Sequence, residues 1–475
     1  MKGQSRRWLR ASLSGLAALA LTVAMLGCLT RLVERKDGYV MSSPFYEQEA
    51  DFDVLFFGSS HMRYTISPPE LWNDYGIVSY NNGSHASNLP TNYWTMINAL
   101  DHTTPKLVVF DCYRMSSQVK GCDSPQLLHD VLDPMPLSLN KIRAVRDIVG
   151  PEENRGEYLW DFIAYHDRWR ELGERDLNPQ ADCLKGSGYL VPVAEMADPV
   201  PIDPSMVFEE DTVGVQYLRK ILDFCRDRNI KILLTFFPFT ADEVNQRKAN
   251  LVREIAKEYG VDYLDFLQLD VIDYGTDQCI DLHLNASGAR KVTDYLGKYI
   301  REHYDIPDRR QDPAYAGWYE DYEAYTRFKL DTLEAQTDLK SYLMLLQDKH
   351  LSACVYLAEN ELWHSGVYER LLANTGVDSG QLRPEGPTLA VVDNMAGSVV
   401  YLGAGETAET GFGETRFVEK NGAYGVRING GGGMILQSDA SLGAVVVDNA
   451  SGVVATSSQF AVTVQPAASS VTKIP

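Results

Sequence analysis

The sequence predicts an α/β protein with a doubly wound parallel sheet, joined to a second, β-rich unit. Two observations carry this. Five short apolar runs alternate with helical patterns over the first 304 residues, and the composition shifts to glycine and β-branched residues beyond about 335. The chain has 475 residues. Domains usually hold about 100 to 200, so two or three units are expected.

The runs are FDVLFFG at 52–58, IVSYNN at 77–82, KLVVFD at 106–111, KILLTFF at 231–237 and VDYLDF at 261–266. Their near-continuous hydrophobicity suits strands covered by helices on both faces. Leu218, Ile221, Leu222 and Cys225 follow helical spacing, as do Val252, Ile255 and Ala256. Residues 289–303 read as a further helix, so this domain spans 40–304. An insertion, 114–210, rich in Pro, Trp, Tyr and His, interrupts the alternation and is expected over the active-site edge. Within it, LWDFIAYHDRWREL reads as an amphipathic helix with its aromatics facing the core, and as a lid in the second reading. Residues 305–334 read as a linker helix or strap, and 335–463 as a mixed α/β, β-rich domain. The Ser/Ala/Pro-rich 464–475 is expected to be a flexible tail.

From Ala11 to Thr30 no residue is charged, enough to span a bilayer's hydrocarbon core. Residues 1–36 therefore read as an uncleaved signal anchor, one transmembrane helix with the body outside the cytoplasm. Cys28, in MLGC, loosely matches a lipoprotein site. The net charge is −21, and residues 1–36 are themselves basic, so the body is strongly acidic and nucleic acid is a poor partner. The six cysteines beyond the anchor show no CxxC or Cys/His metal spacing, and no metal or cofactor is expected. Cys112 and Cys122 are the one pair close enough in sequence to suggest a disulfide.

Three places on the α/β domain could carry chemistry. Gly58-Ser59-Ser60-His61 ends the first strand, where a serine on a tight turn exposes its hydroxyl. Asp281-Leu-His283-Leu-Asn-Ala-Ser-Gly288 follows the last strand. Asp and His two apart on an extended segment project to one side, the arrangement a general base and its orienting carboxylate need. Asn81-Asn82-Gly83-Ser84-His85-Ala86 follows the second strand and can offer N–H groups to an oxyanion. Taken singly, each also reads as an ordinary turn or helix cap.

In this order the three resemble the SGNH/GDSL hydrolase superfamily, a flavodoxin-like three-layer fold. The likeness is greatest to its cell-envelope acyltransferase branch, which includes alginate O-acetylation proteins and the D-alanyl transfer protein of lipoteichoic acid. The resemblance implies Ser60 as nucleophile, His283 as base and Asp281 as its orienter. Gly83 or Ala86 would take the oxyanion glycine's place, with Asn82, His61 and Arg63 near the substrate. Ser59 stands where the GDS pattern has Asp, and the G-x-N-D block after strand three is missing. The C-terminal stretches LKSYLMLLQDKHLSACVYLAENEL, YERLLANTG and LGAVVVDNASGVV resemble the interleukin-like EMT inducer and the stem domain of protein O-mannose N-acetylglucosaminyltransferase, which implies glycan or protein binding. Together these imply a serine esterase or O-acyltransferase acting on cell-envelope polysaccharide, partnered with a membrane-bound O-acyltransferase. The alternative is a catalytically inactive, glycan-binding SGNH-fold protein.

Overall fold

Each of the five apolar runs contributes a strand, and their burial explains why they alternate so little. In the computed structural model, which describes residues 2–35, 43–48, 51–177, 183–465 and 468–474, these are β1 (Val54–Phe57), β2 (Ser79–Asn81), β3 (Leu107–Asp111), β4 (Lys231–Phe236) and β5 (Asp262–Asp265). All pair in parallel, in the order β2-β1-β3-β4-β5. One face packs Phe57, Phe110 and Leu234 under helices Leu89–Leu100, Val213–Asp227 and Glu243–Tyr259. The other packs Val54, Phe56 and Leu233 under helices Pro68–Tyr75 and Ala286–His303. Both sides of the central strands β1 and β3 are therefore apolar over most of their length.

The C-terminal region is antiparallel. Its strands are β6 (Leu351–Leu357), β7 (Thr388–Asp393), β8 (Ser398–Leu402), β9 (Thr407–Thr410), β10 (Gly413–Lys420), β11 (Ala423–Ile428), β12 (Gly432–Ile435), β13 (Leu442–Asp448), β14 (Val453–Gln465) and β15 (Ala468–Ile474). They form a six-stranded sheet, β15-β14-β13-β6-β7-β8, and a four-stranded sheet, β12-β11-β10-β9. Tyr356, Val391, Phe417, Val426 and Val445 fill one core between them. The tail expected to be loose instead supplies β15, which pairs along β14 from Gln465↔Ala468 to Gln459↔Ile474. Its Ser/Ala content hides a strand whose partner was not visible in a local window.

The strap is the helix Gly317–Ala335. Its Trp318 meets Trp72 at 5.5 Å, and its Lys329 ammonium lies 3.0 Å from Glu70 and 2.8 Å from Asp348. Those carboxylates lie on the helix Pro68–Tyr75 and the turn before β6. The ion pairs therefore join the parallel-sheet region, the strap and the C-terminal region. Glu70, Asp348 and His350 are spaced closely enough to hold a metal ion, but the Lys329 ammonium already binds both carboxylates. Burial pulls His350 down, yet its hydrogen bonds to Asp348 and Asp74, with the Glu70 charge, raise it from 6.5 to about 9. A raised folded-state value stabilises fully below the unfolded value and is lost as pH passes the folded one. Unfolding free energy should therefore decline as pH rises from about 6.5 to about 9. Urea titrations of His350→Gln should show that slope flattened, and an unchanged slope would contradict it.

The insertion divides. Residues 184–196 run along the carboxyl edge of the sheet, where Gly188 N donates to Arg63 O (2.8 Å), Asn81 N to Lys185 O (3.0 Å) and Ala286 N to Leu190 O (2.8 Å). The LWDFIAYHDRWREL segment departs from the expected core-facing helix. It breaks into a helix, Asp161–Tyr165, and a 3-10 turn, His166–Arg170, neither with a buried residue. Trp160 and Trp169 are 40% and 62% exposed. The segment packs on the apolar N-terminal helix Lys2–Val33, a neighbour that its own periodicity could not reveal. One stretch of that helix, Ser12–Val33, is long and apolar enough to cross a membrane. Cys112 and Cys122 are not joined in a disulfide.

Candidate active site

The end of β1 is shaped by close backbone approach. A Cβ on Gly58 would lie 2.7 Å from Met62 Cβ and 2.8 Å from Asp111 Cβ, so only glycine fits between the strand end and the next helix. Ser59 then caps the helix Ser60–Thr65, its Oγ accepting from His61 N at 3.3 Å. This places Ser60 at the helix's first position, half-buried, with an N–H that has no intrahelical acceptor.

Opposite it, the 276–288 loop is built on Asn285. Its Oδ1 accepts from Ser287 N (3.1 Å) and Gly288 N (3.2 Å), capping the helix Ala286–His303. Its Nδ2 donates back to Thr276 O at 2.7 Å and Gln278 O at 3.2 Å. The D-x-H segment is not extended as expected. Ile280–Leu282 forms a 3-10 turn, and Leu282 takes the left-handed region at φ 62°. That reversal, tied by Cys279 N donating to His283 O at 2.6 Å, presents the imidazole to the serine. Ser60 Oγ lies 2.8 Å from His283 Nε2. The Asp281 side chain lies outside the described part of the structure.

The remaining expected residues form the surroundings. His61, 5% exposed, stacks on Tyr113 with ring centres 3.8 Å apart and meets His283 edge-on at 5.4 Å. Burial, then the charges of His283, Arg114 and Lys248, holds it well below the usual imidazole range. His85 is lowered to about 4 by burial and by Arg63 and His283. Both are neutral near pH 7; His85 hydrogen-bonds the Tyr64 hydroxyl, and His61 packs among rings. Arg63 is buried and its backbone meets the Gly83 loop.

That loop departs from the expected oxyanion role at one point. Gly83 N–H donates to Asn81 Oδ1 at 2.9 Å and is already used. Gly83 instead serves close approach, since a Cβ there would lie 2.6 Å from Arg63 N. Asn82 is 2% exposed, and its Nδ2 has no hydrogen-bond acceptor among the described residues. Ala86 sits at φ 49°, a left-handed conformation that costs a non-glycine residue energy. Gly83→Ala should push the loop from the serine helix and cost about 1–3 kcal/mol, as overpacking does. Thermal melting would measure this, and an unchanged midpoint would contradict it.

Three side chains were not singled out from the sequence. Tyr64, one helical turn after Ser60, meets the His283 ring edge-on at 5.3 Å and hydrogen-bonds His85 Nε2 through its hydroxyl at 3.2 Å. Its i+4 spacing from Ser60 was a usable signal. Phe239 meets His61 edge-on at 4.9 Å and Tyr113 at 5.3 Å. Asp111, 2% exposed beside Gly58, is pushed by burial up to about 8, with backbone N–H groups of Tyr113, Phe237 and Cys112 opposing the rise. Its carboxyl is therefore mostly protonated at pH 7.

No family model and no curated protein matches this chain. Among solved structures, one similar chain is a candidate acylhydrolase from Bacteroides fragilis. It is 11% identical with a TM-score of 0.28, over 55% of this chain and 94% of that one. A likeness at that score supports no inference about activity.

Proposed function

We propose that this protein is a membrane-anchored, extracytoplasmic serine esterase or O-acyltransferase of SGNH/GDSL type that moves an acyl group, acetyl foremost, on cell-envelope carbohydrate. The observation that carries the reading is the 2.8 Å separation of Ser60 Oγ and His283 Nε2 at the carboxyl edge of a parallel sheet. Ser60 Oγ attacks the ester carbonyl while His283 Nε2 takes its proton. The tetrahedral oxyanion is assigned to the Ser60 N–H at the helix start and to Asn82 Nδ2, which has no acceptor among the described residues. His283 then protonates the departing alcohol, leaving an acyl-Ser60. A second His283-assisted attack, by a sugar hydroxyl or by water, releases the acyl group and restores the serine. Asp281 is assigned to orient His283. The aromatic walls of Tyr64, Tyr113 and Phe239 limit water and favour transfer where a sugar fills the site.

The anchor keeps the body beside a membrane-bound O-acyltransferase, the donor this reading implies, and the C-terminal region holds the polymer. A catalytically inactive glycan-binding protein is the competing reading, and it draws on the Gly83 N–H being spent inside its own loop. A fluorophosphonate probe separates the two. Mass spectrometry should find the adduct on Ser60 and none in Ser60→Ala. A wild-type protein that takes no label, or takes it elsewhere, would favour the binding reading.

A further inference from the structure

The N-terminal helix does not leave the body as a loose tether. Its last turns are held by the insertion. Trp160 Nε1 donates to Thr30 Oγ1 at 3.0 Å, and Arg168 Nη1 donates to the carbonyls of Val33 (2.6 Å) and Glu34 (2.7 Å) at the helix end. Asp176 fixes that guanidinium at 2.8 Å, and Arg35 pairs with Asp130 at 2.8 Å. Val33 is 3% exposed, whereas the helix residues from 12 to 25 are bare.

These contacts set a depth. The apolar stretch Ser12–Val33 has 22 residues, about 33 Å of helix, close to the thickness of a hydrocarbon core. Thr30 is then about 5 Å from the end of the span, just inside the boundary between acyl chains and headgroups. Whatever touches Thr30 lies at that level too. The segment that touches it turns large apolar side chains outward: Trp160 is 40%, Ile163 39%, Trp169 62% and Leu177 64% exposed. The Arg170 guanidinium sits 5.1 Å over the Trp169 ring. Tryptophan and arginine beside aliphatic residues are the composition that settles at a membrane interface.

We infer that residues 160–177 form a collar that lies in the lipid boundary beside the anchor, with the Trp160, Ile163, Trp169 and Leu177 side chains entering the leaflet on the body's side. The occupant of this apolar face is phospholipid. The inference rests on the reading of Ser12–Val33 as a membrane span, and it adds a second membrane contact to the single one that the sequence suggested. The body is then held at a set height and orientation instead of swinging on a linker.

The test uses the full chain in nanodiscs of phosphatidylcholine, with acyl chains brominated at shallow or deep positions. Subtracting the emission of Trp160→Phe/Trp169→Phe from wild type isolates the collar tryptophans. The same subtraction with Trp8→Phe isolates the anchor's own tryptophan, and thermal melting checks that each variant is folded. The collar signal should fall at least twofold with shallow bromines, less with deep ones, and resist aqueous acrylamide. A Trp8 signal quenched by bromine beside a collar signal quenched only by acrylamide would overturn the collar and leave the anchor standing. A collar signal shielded from both quenchers would mean that protein covers the face, again overturning it. If bromine quenches neither signal, the membrane span itself is wrong and the collar falls with it.

Discussion

Ser60→Ala is expected to lower turnover of a small ester such as nitrophenyl acetate by about a thousandfold to a millionfold, with little change in thermal stability. On the proposed mechanism, losing Ser60 removes the acyl-enzyme route, and the residual rate comes from binding and the oxyanion donors. The Ser60 hydroxyl is half-buried at a helix start, and among the described residues its Oγ hydrogen-bonds His283. His283→Ala should cause a comparable fall, and the double variant should fall no further than the worse single one, because the two side chains act as one unit. Steady-state kinetics on the three proteins checks this. Additive losses would mean that Ser60 and His283 act separately, and the assignment would fail.

The second large effect is on stability. Lys329→Met is expected to cost about 3–5 kcal/mol, the cost of leaving a buried charge uncompensated. Glu70 and Asp348, 3% and 5% exposed, both lose the ammonium between them. Arg290 at 3.7 Å and His350 at 3.1 Å still face Asp348, so the loss should sit at the lower end. Urea unfolding monitored by circular dichroism measures it. A loss below about 1 kcal/mol would place the cluster in the class of weak surface pairs. Because Lys329 joins both regions, and Ser287 Oγ donates to Gln347 Oε1 at 2.8 Å, removing residues 335–475 would disturb the helix beginning just after His283. The C-terminal region is packed into that helix's surroundings and is no loose appendage.

Much of the parallel-sheet region was legible because its signal is local. FDVLFFG and KILLTFF are apolar on both faces whatever surrounds them, and Ser60, the Gly83 loop and His283 follow from the ends of such runs. The misses share one cause, a partner far away in sequence. Trp160 and Trp169 look like core residues until the helix 130 residues earlier is seen beside them. The Ser/Ala-rich end looks loose until β14 lies alongside it. Leu282 gives no sign of its left-handed turn, because that conformation is imposed by the ties on either side of it. Asp111 stood where a G-x-N-D block was sought, and only its burial beside Gly58 shows that its protonation is unusual.

The bare contacts at Gly58 and Gly83 set how this site can change over generations. Strand end, serine helix and flanking loop touch there through main chain and Cβ atoms, with no room for one added methyl group. The frame around Ser60 therefore rests on main chain and on the Cβ positions of Met62 and Asp111. Tyr64, His85 and Tyr113 lie outside those close contacts, whereas an alanine at either glycine strains them. A lineage could alter the rim of the site alone, with the two glycines held constant throughout.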